Sequence, residues 1–127
     1  MPKTTHPTKS SLIDCAADLL DKYRFDEITV EMVLDRSGVS KGSLYHHFED
    51  LEELIEAALI QRYARWVDAS IEIMTQILTT GNSSEEIYKH LVEITRNTQS
   101  DEYLAVRQNR IDVLSRAGSS KRFAKLL

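Results

Sequence analysis

The chain has 127 residues, 42% of them hydrophobic and 28% charged, which is ordinary for a globular protein of one domain or two small ones. No apolar run is long enough to span a membrane, and residues 1–11 lack the apolar stretch of a signal peptide. The single cysteine, Cys15, excludes an intramolecular disulfide and favours a reducing, cytoplasmic setting. The net charge of −4 argues against a nucleic-acid partner, because such partners usually select basic domains.

Residues 1–9 are polar and include both prolines, so they predict a flexible N-terminal arm. A helical pattern begins at Ser11, where apolar side chains recur with the spacing of one helical face. Phe25 and Ile28 are expected to pack against the end of this first helix. Its buried stripe is predicted to consist of Leu12, Cys15, Ala16, Leu19 and Leu20.

Two short helices follow, and together they predict a helix-turn-helix unit. The first is capped by Thr29 and ends at Gly38, which supplies the positive φ that a tight turn needs. The other has Ser40 as its N-cap and runs to about His47. The apolar side chains expected between the helices are Val33, Leu34 and Val39.

A long fourth helix is predicted next. Asp50 is its expected cap, with Glu53 at the spacing of a capping box. No helix-breaking residue occurs from Leu51 to about Leu78, so the helix is expected to span roughly 40 Å. The residues on its predicted stripe are Leu54, Ile55, Ala58, Leu59, Arg62, Tyr63, Trp66, Ala69, Ile73, Met74 and Ile77.

The rest of the chain predicts further helices. Residues 79–84 form a loop, Ser83 caps a fifth helix, and residues 100–101 open a sixth. Residues 117–120 break the sixth helix, and residues 121–127 begin another. The sixth helix is predicted to carry Leu104, Arg107, Ile111 and Leu114 on one face. Because no segment alternates as a strand would, the expected fold is all-α, with a three-helix head, a long connecting helix and a partial helical domain.

The third helix carries an unusual surface for a solvent-exposed helix. Between Ser40 and Phe48 it combines small and polar residues, and only Leu44 and Phe48 are expected in the core. Ser, Lys, Tyr and His side chains can donate hydrogen bonds to phosphate oxygens. The second helix of a helix-turn-helix fits the major groove of DNA, so this pattern predicts DNA recognition.

The run ITVEMVLDRSGVSKGSLYHHFEDLEELIEAAL, preceded by LIDCAADLL and Phe25, resembles the N-terminal domain of the TetR family of bacterial one-component transcriptional regulators. The resemblance covers residues 10–60, and the string GVSKGSLYHHF carries most of its specificity. It implies a cytoplasmic repressor that binds a palindromic DNA operator as a homodimer. It also implies control by a small-molecule effector, bound by the variable helical domain that follows.

The resemblance implies a set of DNA contacts at matching positions. Lys9 and Ser10 would meet the DNA backbone at the start of the first helix, and the Thr29 hydroxyl would bind a phosphate. Tyr45 and His47 would also reach phosphates. The leading end of the recognition helix would be Ser40, Lys41, Gly42 and Ser43, and His46 occupies a position where an aromatic side chain often contacts DNA.

Several positions depart from the family pattern. Leu51 replaces a usual Lys that is directed at a phosphate, and Leu34 replaces a usual Ala, which favours slight splaying of the two helices. Arg24 replaces a usual Gly in the left-handed conformation, at a cost of roughly 1 kcal/mol if that conformation is kept. Glu31 and Glu49 add negative charge near the expected DNA-binding face.

Residues 9–54 contain five basic and eleven acidic side chains, so the affinity for DNA cannot come from a broad basic surface. It is expected to depend on Lys41, on the N-terminal arm with Lys3 and Lys9, on helix N-termini and on neutral donors. We therefore expect binding that is weaker and more selective than is usual for the family.

Aromatic and polar side chains beyond residue 60 are candidates for an effector pocket, although a stripe at helical spacing is more often simply core. The candidates are Tyr63, Trp66, Met74, Tyr88, Tyr103 and Arg107. The side chains of Arg62, Arg107 and Arg110 could pair with an acidic effector or form ordinary surface salt bridges. Adjacent histidines point about 100° apart on a helix, so His46 and His47 do not predict a metal site. Cys15 lies on an apolar stripe, which favours a buried, inert thiol.

No catalytic arrangement of side chains and no phosphate-binding glycine loop occurs, so neither an enzyme nor a cofactor is expected. The predicted domains are residues 1–50, an arm with the helix-turn-helix, and residues 51–127, an incomplete effector-binding and dimerisation domain. The alternative is a helical protein-interaction module that has kept the fold and lost operator binding. The apolar face of the last helix also leads us to expect a fragment of a longer protein.

Overall fold

The computed structural model describes residues 6–127, which form helices and connecting turns without any strand. The chain divides into two compact units, one ending at Arg62 and the other comprising Tyr63–Leu127. The α-helices are α1 (Pro7–Leu19), α2 (Val30–Ser37), α3 (Lys41–His47), α4 (Leu51–Thr79), α5 (Ser84–Thr98), α6 (Leu104–Ser119) and α7 (Lys121–Ala124). The predicted all-α fold is therefore confirmed. Within the described range, no helix combines the length and apolar character needed to cross a bilayer.

The first helix begins earlier than the sequence pattern indicated, so the prediction of an arm through residue 9 is wrong for its last three residues. Pro7 is the first residue of α1, where the absence of a proline N–H costs nothing. The His6 side chain caps the helix, with its Nδ1 accepting the Thr8 N–H at 3.2 Å. Lys3 of the predicted arm lies outside the described residues.

The core of the first unit follows the predicted stripe of α1. All five predicted residues are buried, and Leu12 and Ala16 are fully so. Ile28 is buried as expected, whereas Phe25 is half-buried. Ala17 of α1 is buried as well, and the remaining core residues of the unit are Val33, Leu44, Phe48, Leu54, Ile55, Ala58 and Leu59.

The chain leaves α1 without the left-handed residue that the family pattern suggested. No described residue other than glycine has a positive φ, so Arg24 avoids the strain of that conformation. Instead, the Arg24 N–H donates to the Glu27 carboxylate at 3.1 Å, and the Glu27 N–H donates to the Arg24 carbonyl at 3.0 Å. These two bonds close a turn that accepts a bulky side chain.

The long helix α4 starts at the predicted cap. The Asp50 carboxylate accepts the Glu53 N–H at 2.8 Å, and the Glu53 carboxylate accepts the Glu49 N–H at 3.4 Å. This arrangement resembles a capping box whose return bond reaches one residue further back. Further along, the Arg62 guanidinium donates to the Ala17 carbonyl at 2.9 Å and to the Asp21 carboxylate, which joins α4 to α1.

The second unit contains the C-terminal part of α4 and the remaining helices. Ser83 caps α5 as predicted, accepting the Glu86 N–H at 3.2 Å. A short 3₁₀ turn precedes α6, and α6 continues through Ala117 and Gly118 to Ser119. The break predicted at residues 117–120 is therefore confined to Ser120, which ends α6 and caps α7, and the prediction is wrong for residues 117–119.

The burial of the second unit differs from its predicted pattern. Its buried hydrophobic residues are Ile77, Val113 and Phe123. The apolar face that the sequence indicated for α6 is not buried, since Leu104, Ile111 and Leu114 are 53%, 60% and 65% exposed. On the α4 stripe, Ala69, Ile73 and Met74 are likewise exposed. Helical spacing identifies an apolar face, but only the packing partners decide whether that face is buried.

Candidate nucleic-acid interface

The turn between α2 and α3 has the geometry of a helix-turn-helix. Gly38 ends α2 with φ +70°, and its N–H donates to the Leu34 carbonyl at 2.9 Å. The Val39 N–H then donates to the Ser37 hydroxyl at 3.1 Å, which fixes the direction of the connection. A Cβ at residue 38 would meet no neighbouring atom, so the need for glycine comes from the backbone conformation alone.

Both helices of the motif start with a hydroxyl cap, as the sequence predicted. The Thr29 hydroxyl accepts the Met32 N–H at 3.3 Å, and the Ser40 hydroxyl accepts the Ser43 N–H at 3.2 Å. Each hydroxyl uses an oxygen lone pair in this way and keeps its own hydrogen. Thr29 and Ser40 can therefore cap their helices and donate to a phosphate oxygen at the same time.

Two apolar side chains anchor α3 in the core of the first unit, and the polar face of the helix is exposed to solvent. Leu44 is fully buried, and Phe48, which follows the helix, is 3% exposed. Lys41, Gly42, Tyr45 and His46 are exposed, whereas Ser43 and His47 are half-buried. The small and polar residues of α3 are thus presented to solvent on a helix that the core holds in place.

Gly42 is the second residue of α3, and glycine is a poorer helix former than alanine. A Cβ at this position would meet nothing within 4 Å, so the interior of the protein does not require a glycine here. Its φ is not positive either. A residue without a side chain at this exposed position leaves room for the close approach of an external ligand.

Three histidine rings meet beside α3. The centroids of the His6 and His47 rings are 5.0 Å apart, and those of His46 and His47 are 5.1 Å apart. The Lys9 ammonium lies 5.5 Å from the centre of the Phe48 ring. The pKa of His47 is lowered, first by partial removal of its ring from water and then by the positive charges of His6, His46 and Lys9.

The structure thereby brings some predicted DNA-binding residues together and adds one. Lys9, from the start of α1, lies near His47 at the end of α3, and Ser10 is half-buried beside Lys9. His6 was absent from the sequence-based set. The sequence signal that could have identified it is its position directly before Pro7. Proline is common at the first position of a helix, so the residue before it is a candidate N-cap. The roles of all these side chains in DNA binding stay predictions.

The start of α4 offers no cation to a phosphate. Leu51 is half-buried in the first turn, which carries Glu52 and Glu53 as its acidic residues. Acidic side chains near a helix N-terminus stabilise the helix, but their negative charge repels a phosphate. Because Leu51 replaces the lysine that is usual in the family, no positive charge at this position offsets the two glutamates of the first turn.

The candidate effector residues lie in different surroundings within the second unit. Tyr63 and Trp66 pack together, with ring centroids 5.9 Å apart, and the Arg110 guanidinium lies 4.7 Å from the centre of the Trp66 ring. The Arg107 guanidinium instead donates to the Thr98 and Ser100 carbonyls at 2.6 and 2.7 Å. The exposed candidates are Met74, Tyr88 and Tyr103, at 39%, 69% and 39%. Their role in ligand binding stays a prediction.

The remaining reactive side chains of the described residues were compared with the needs of a metal site and of a reactive thiol. Among residues 6–127, no three His, Cys, Asp or Glu residues are grouped as a metal ion would require. The Cys15 thiol is buried and donates to the Val33 carbonyl at 3.6 Å. Burial raises the pKa of the Cys15 thiol, which favours the unreactive protonated form.

Comparisons with known proteins agree with this geometry. Residues 12–58 match the model of the bacterial regulatory proteins of the tetR family. The chain is 26% identical to the transposon Tn10 TetC protein of Escherichia coli over 86 residues. This alignment covers 68% of this chain and 43% of that protein. It is 35% identical to the A-factor receptor protein of Streptomyces griseus over 52 residues, and this alignment covers 41% of this chain and 19% of that protein. No solved structure gave a significant match.

A third relative is the HTH-type transcriptional repressor KstR2 of Rhodococcus jostii, 35% identical over 51 residues, which cover 40% of this chain and 25% of that protein. The chain thus spans less than half the length of each of these relatives. The fold of the first unit is that of a helix-turn-helix DNA-binding domain. Residues 12–58, the greater part of the first unit, carry the N-terminal domain that is typical of the tetR family of bacterial regulatory proteins.

Proposed function

We propose that this protein is a TetR-type transcriptional repressor that binds a palindromic DNA operator through α2 and α3. The observation that carries the proposal is the exposed polar face of α3, which Leu44 and Phe48 anchor to a buried core. That face consists of hydrogen-bond donors around Gly42, a small residue for which the interior gives no reason. A rigid helix with an accessible leading end is what insertion into a major groove requires.

The affinity would depend on a few contacts. Lys41 is exposed at the start of α3, and Lys9 lies near the end of α3. The hydroxyls of Thr29 and Ser40 remain able to donate to phosphates while they cap their helices. Because the acidic residues of this unit outnumber the basic ones, we expect a modest dependence on salt and a low affinity for random sequences.

The proposal includes a homodimer and a small-molecule effector. A palindrome presents two half-sites about one helical turn of DNA apart, so two copies of α3 would have to bind together. The names of relatives support control by a ligand and repression, since one is called the A-factor receptor protein and another a transcriptional repressor. We propose that residues 1–50 form the DNA-binding domain and residues 51–127 part of an effector-binding and dimerisation domain in the cytoplasm.

A protein-interaction module is the second candidate. Two observations favour it, namely the excess of acidic residues between residues 9 and 54 and the apolar Leu51 where the family usually has a cation. Under this hypothesis the helix-turn-helix is retained as a scaffold. Protein surfaces, unlike DNA, place no requirement for positive charge on α3.

Selection of bound duplexes from a random DNA pool distinguishes these candidates. We expect enrichment of one half-site in inverted repeat, with a spacing of about one DNA turn between the centres of the half-sites. The selected duplex should then bind more tightly than a scrambled duplex of the same composition, and less tightly as salt is raised. A pool that shows no enrichment over several rounds would contradict the repressor proposal and leave the interaction module.

A further inference from the structure

An arginine meets a pair of aromatic rings in the second unit. The Arg110 guanidinium of α6 lies 4.7 Å from the centre of the Trp66 ring of α4, and the centroids of the Tyr63 and Trp66 rings are 5.9 Å apart. All three side chains are half-buried. These residues form the Arg110–Trp66 site, and we propose that it binds a small carboxylate with an aromatic body.

The guanidinium of Arg110 has no acceptor among residues 6–127. Its Nε–H is shielded from solvent and makes no hydrogen bond, and no ion pair joins the side chain to the described part of the chain. Buried polar groups are normally paired, because an unmade hydrogen bond costs free energy. The site therefore offers a desolvated cationic donor that an incoming anion would satisfy.

Two other half-buried arginines show how this chain usually satisfies such a group. Arg107, one turn earlier on α6, donates to the Thr98 and Ser100 carbonyls at 2.6 and 2.7 Å. Arg62 also has an Nε without an acceptor, but its Nη1 donates to the Ala17 carbonyl at 2.9 Å. The guanidinium of the proposed site differs from both, because its partner is an aromatic ring and not an acceptor.

The helix positions around the site carry no acidic residue. The residues three and four positions from Arg110 on α6 are Val106, Arg107, Val113 and Leu114. Those three and four positions from Trp66 on α4 are Arg62, Tyr63, Ala69 and Ser70. Residues at these spacings are the neighbours of a side chain on its own helix. Neither helix thus supplies a carboxylate to the guanidinium, and a ligand carboxylate would fill that role.

The chemistry of the site defines the class of ligand. A guanidinium binds a carboxylate through two parallel hydrogen bonds, and the Nε–H with one terminal N–H can form such a fork. The Tyr63 and Trp66 rings offer an aromatic surface, and aromatic rings pair at centroid distances of about 4.5–7 Å. A small aromatic carboxylate matches both features. Where this ligand is taken as the effector, the inference rests on the proposed function.

The first test uses the fluorescence of Trp66, which is the only tryptophan in the sequence. The DNA-free protein is titrated with benzoate and excited where benzoate does not absorb. We expect a saturable change with a dissociation constant in about the millimolar range, as suits a ligand of so few atoms. Benzamide has the ring without the charge, and acetate has the charge without the ring. Each should bind at least about tenfold more weakly than benzoate.

Arginine variants separate recognition of the carboxylate from the effect of net charge. Arg110→Gln should weaken benzoate binding at least about tenfold and leave the weak binding of benzamide unchanged. Arg110→Lys should retain part of the affinity, because an ammonium keeps the charge but lacks the fork. Arg96→Gln is the matched control, since it removes the same charge from an exposed position of α5. Equal affinities of the wild type and Arg110→Gln for benzoate would overturn the inference.

The second test needs no variant and therefore stands even if Arg110→Gln fails to fold. The Nε–H signal of Arg110 is identified by NMR in the wild type through its proximity to the Trp66 ring protons. Benzoate should shift this signal as a hydrogen bond to the carboxylate forms, and benzamide should shift it less. Saturable binding of benzoate that leaves the signal unmoved would overturn the inference, and so would a titration without saturable binding.

DNA selection decides the proposed function independently of these titrations. If the protein enriches an operator but does not bind benzoate, the Arg110–Trp66 site is wrongly assigned and the proposed function stands. If benzoate binds as expected and no duplex is enriched, the site stands and the proposed function fails. Where both bind, benzoate should change the affinity for the selected duplex at least about twofold in the wild type and not in Arg110→Gln. An unchanged affinity would overturn the effector role of the site.

Discussion

The two compact units of this chain differ in how they bury their apolar side chains. All but three of the buried hydrophobic residues belong to the first unit, which ends at Arg62. Exposed large hydrophobic residues show the reverse distribution, since among residues 6–62 of the first unit only Tyr23 and Tyr45 are of this kind. Those of the second unit are Ile71, Ile73, Met74, Leu78, Tyr88, Leu91, Tyr103, Leu104, Ile111, Leu114, Leu126 and Leu127.

This contrast shows that helix formation and core formation are separate requirements. Both units consist of regular helices, and most of these have a side-chain cap, so local structure does not distinguish the two units. Burial of apolar area contributes about 25 cal/mol per Å², and the second unit leaves much of this contribution unused. Exposed apolar clusters of this kind usually mark an interaction surface. The first unit is therefore expected to carry the stability of the chain, and the second its associations.

Matched leucine truncations test this contrast most strongly. Leu12→Ala removes a fully buried side chain of α1 and should lower the free energy of unfolding by about 2–5 kcal/mol. Leu114→Ala makes the same chemical change at a residue that is 65% exposed, and the expected loss is below about 0.5 kcal/mol. Urea unfolding followed by circular dichroism measures both values. Equal losses would show that α6 has a buried partner and that the contrast is mistaken.

Self-association should depend on the exposed face of α6. We expect the chain to associate at micromolar concentration, and Leu114→Glu should weaken that association at least about tenfold, because an interface would bury an unpaired charge. Tyr23→Glu, at an exposed aromatic residue of the first unit, is the control and should have little effect. Analytical ultracentrifugation gives the dissociation constants. A wild-type chain that sediments as a monomer would contradict this prediction.

DNA binding should, in contrast, depend on charges of the first unit. Lys41→Ala is expected to weaken binding to every duplex and to lower the slope of log K against log salt by about one. Lys89→Ala removes an equivalent charge from α5, where Lys89 lies 3.6 Å from Glu85, and should leave the slope unchanged. Fluorescence anisotropy at several salt concentrations provides both slopes. Identical slopes for the wild type and Lys41→Ala would remove this lysine from the interface.

A gain of function is predicted at the start of α4. Leu51→Lys should strengthen DNA binding by up to about 1 kcal/mol at low salt, because it adds a cation where a phosphate is expected. Glu52 and Glu53 in the same turn should reduce this gain. The measurement is the affinity for one duplex at low and moderate salt. Unchanged or weaker binding would place this end of α4 away from the DNA.

Local signals in the sequence determined most of the helical architecture. Thr29, Ser40, Asp50 and Ser83 cap their helices as predicted, because a capping bond joins residues only three positions apart. Gly38 has the predicted left-handed conformation for an equally local reason. The buried stripe of α1 also matched its periodicity, since the other helices of its unit cover that face.

Tertiary structure alone decided which of the later apolar faces are buried and which side chains meet. The periodicity of α6 indicated Leu104, Ile111 and Leu114, but the structure buries Asp112 and Val113, because burial requires a packing partner as well as a pattern. Similarly, His6 and His47 are 41 positions apart in sequence and meet only because α1 and α3 pack together. Contacts of this kind depend on the arrangement of whole helices, which the spacing of residues within one helix does not specify.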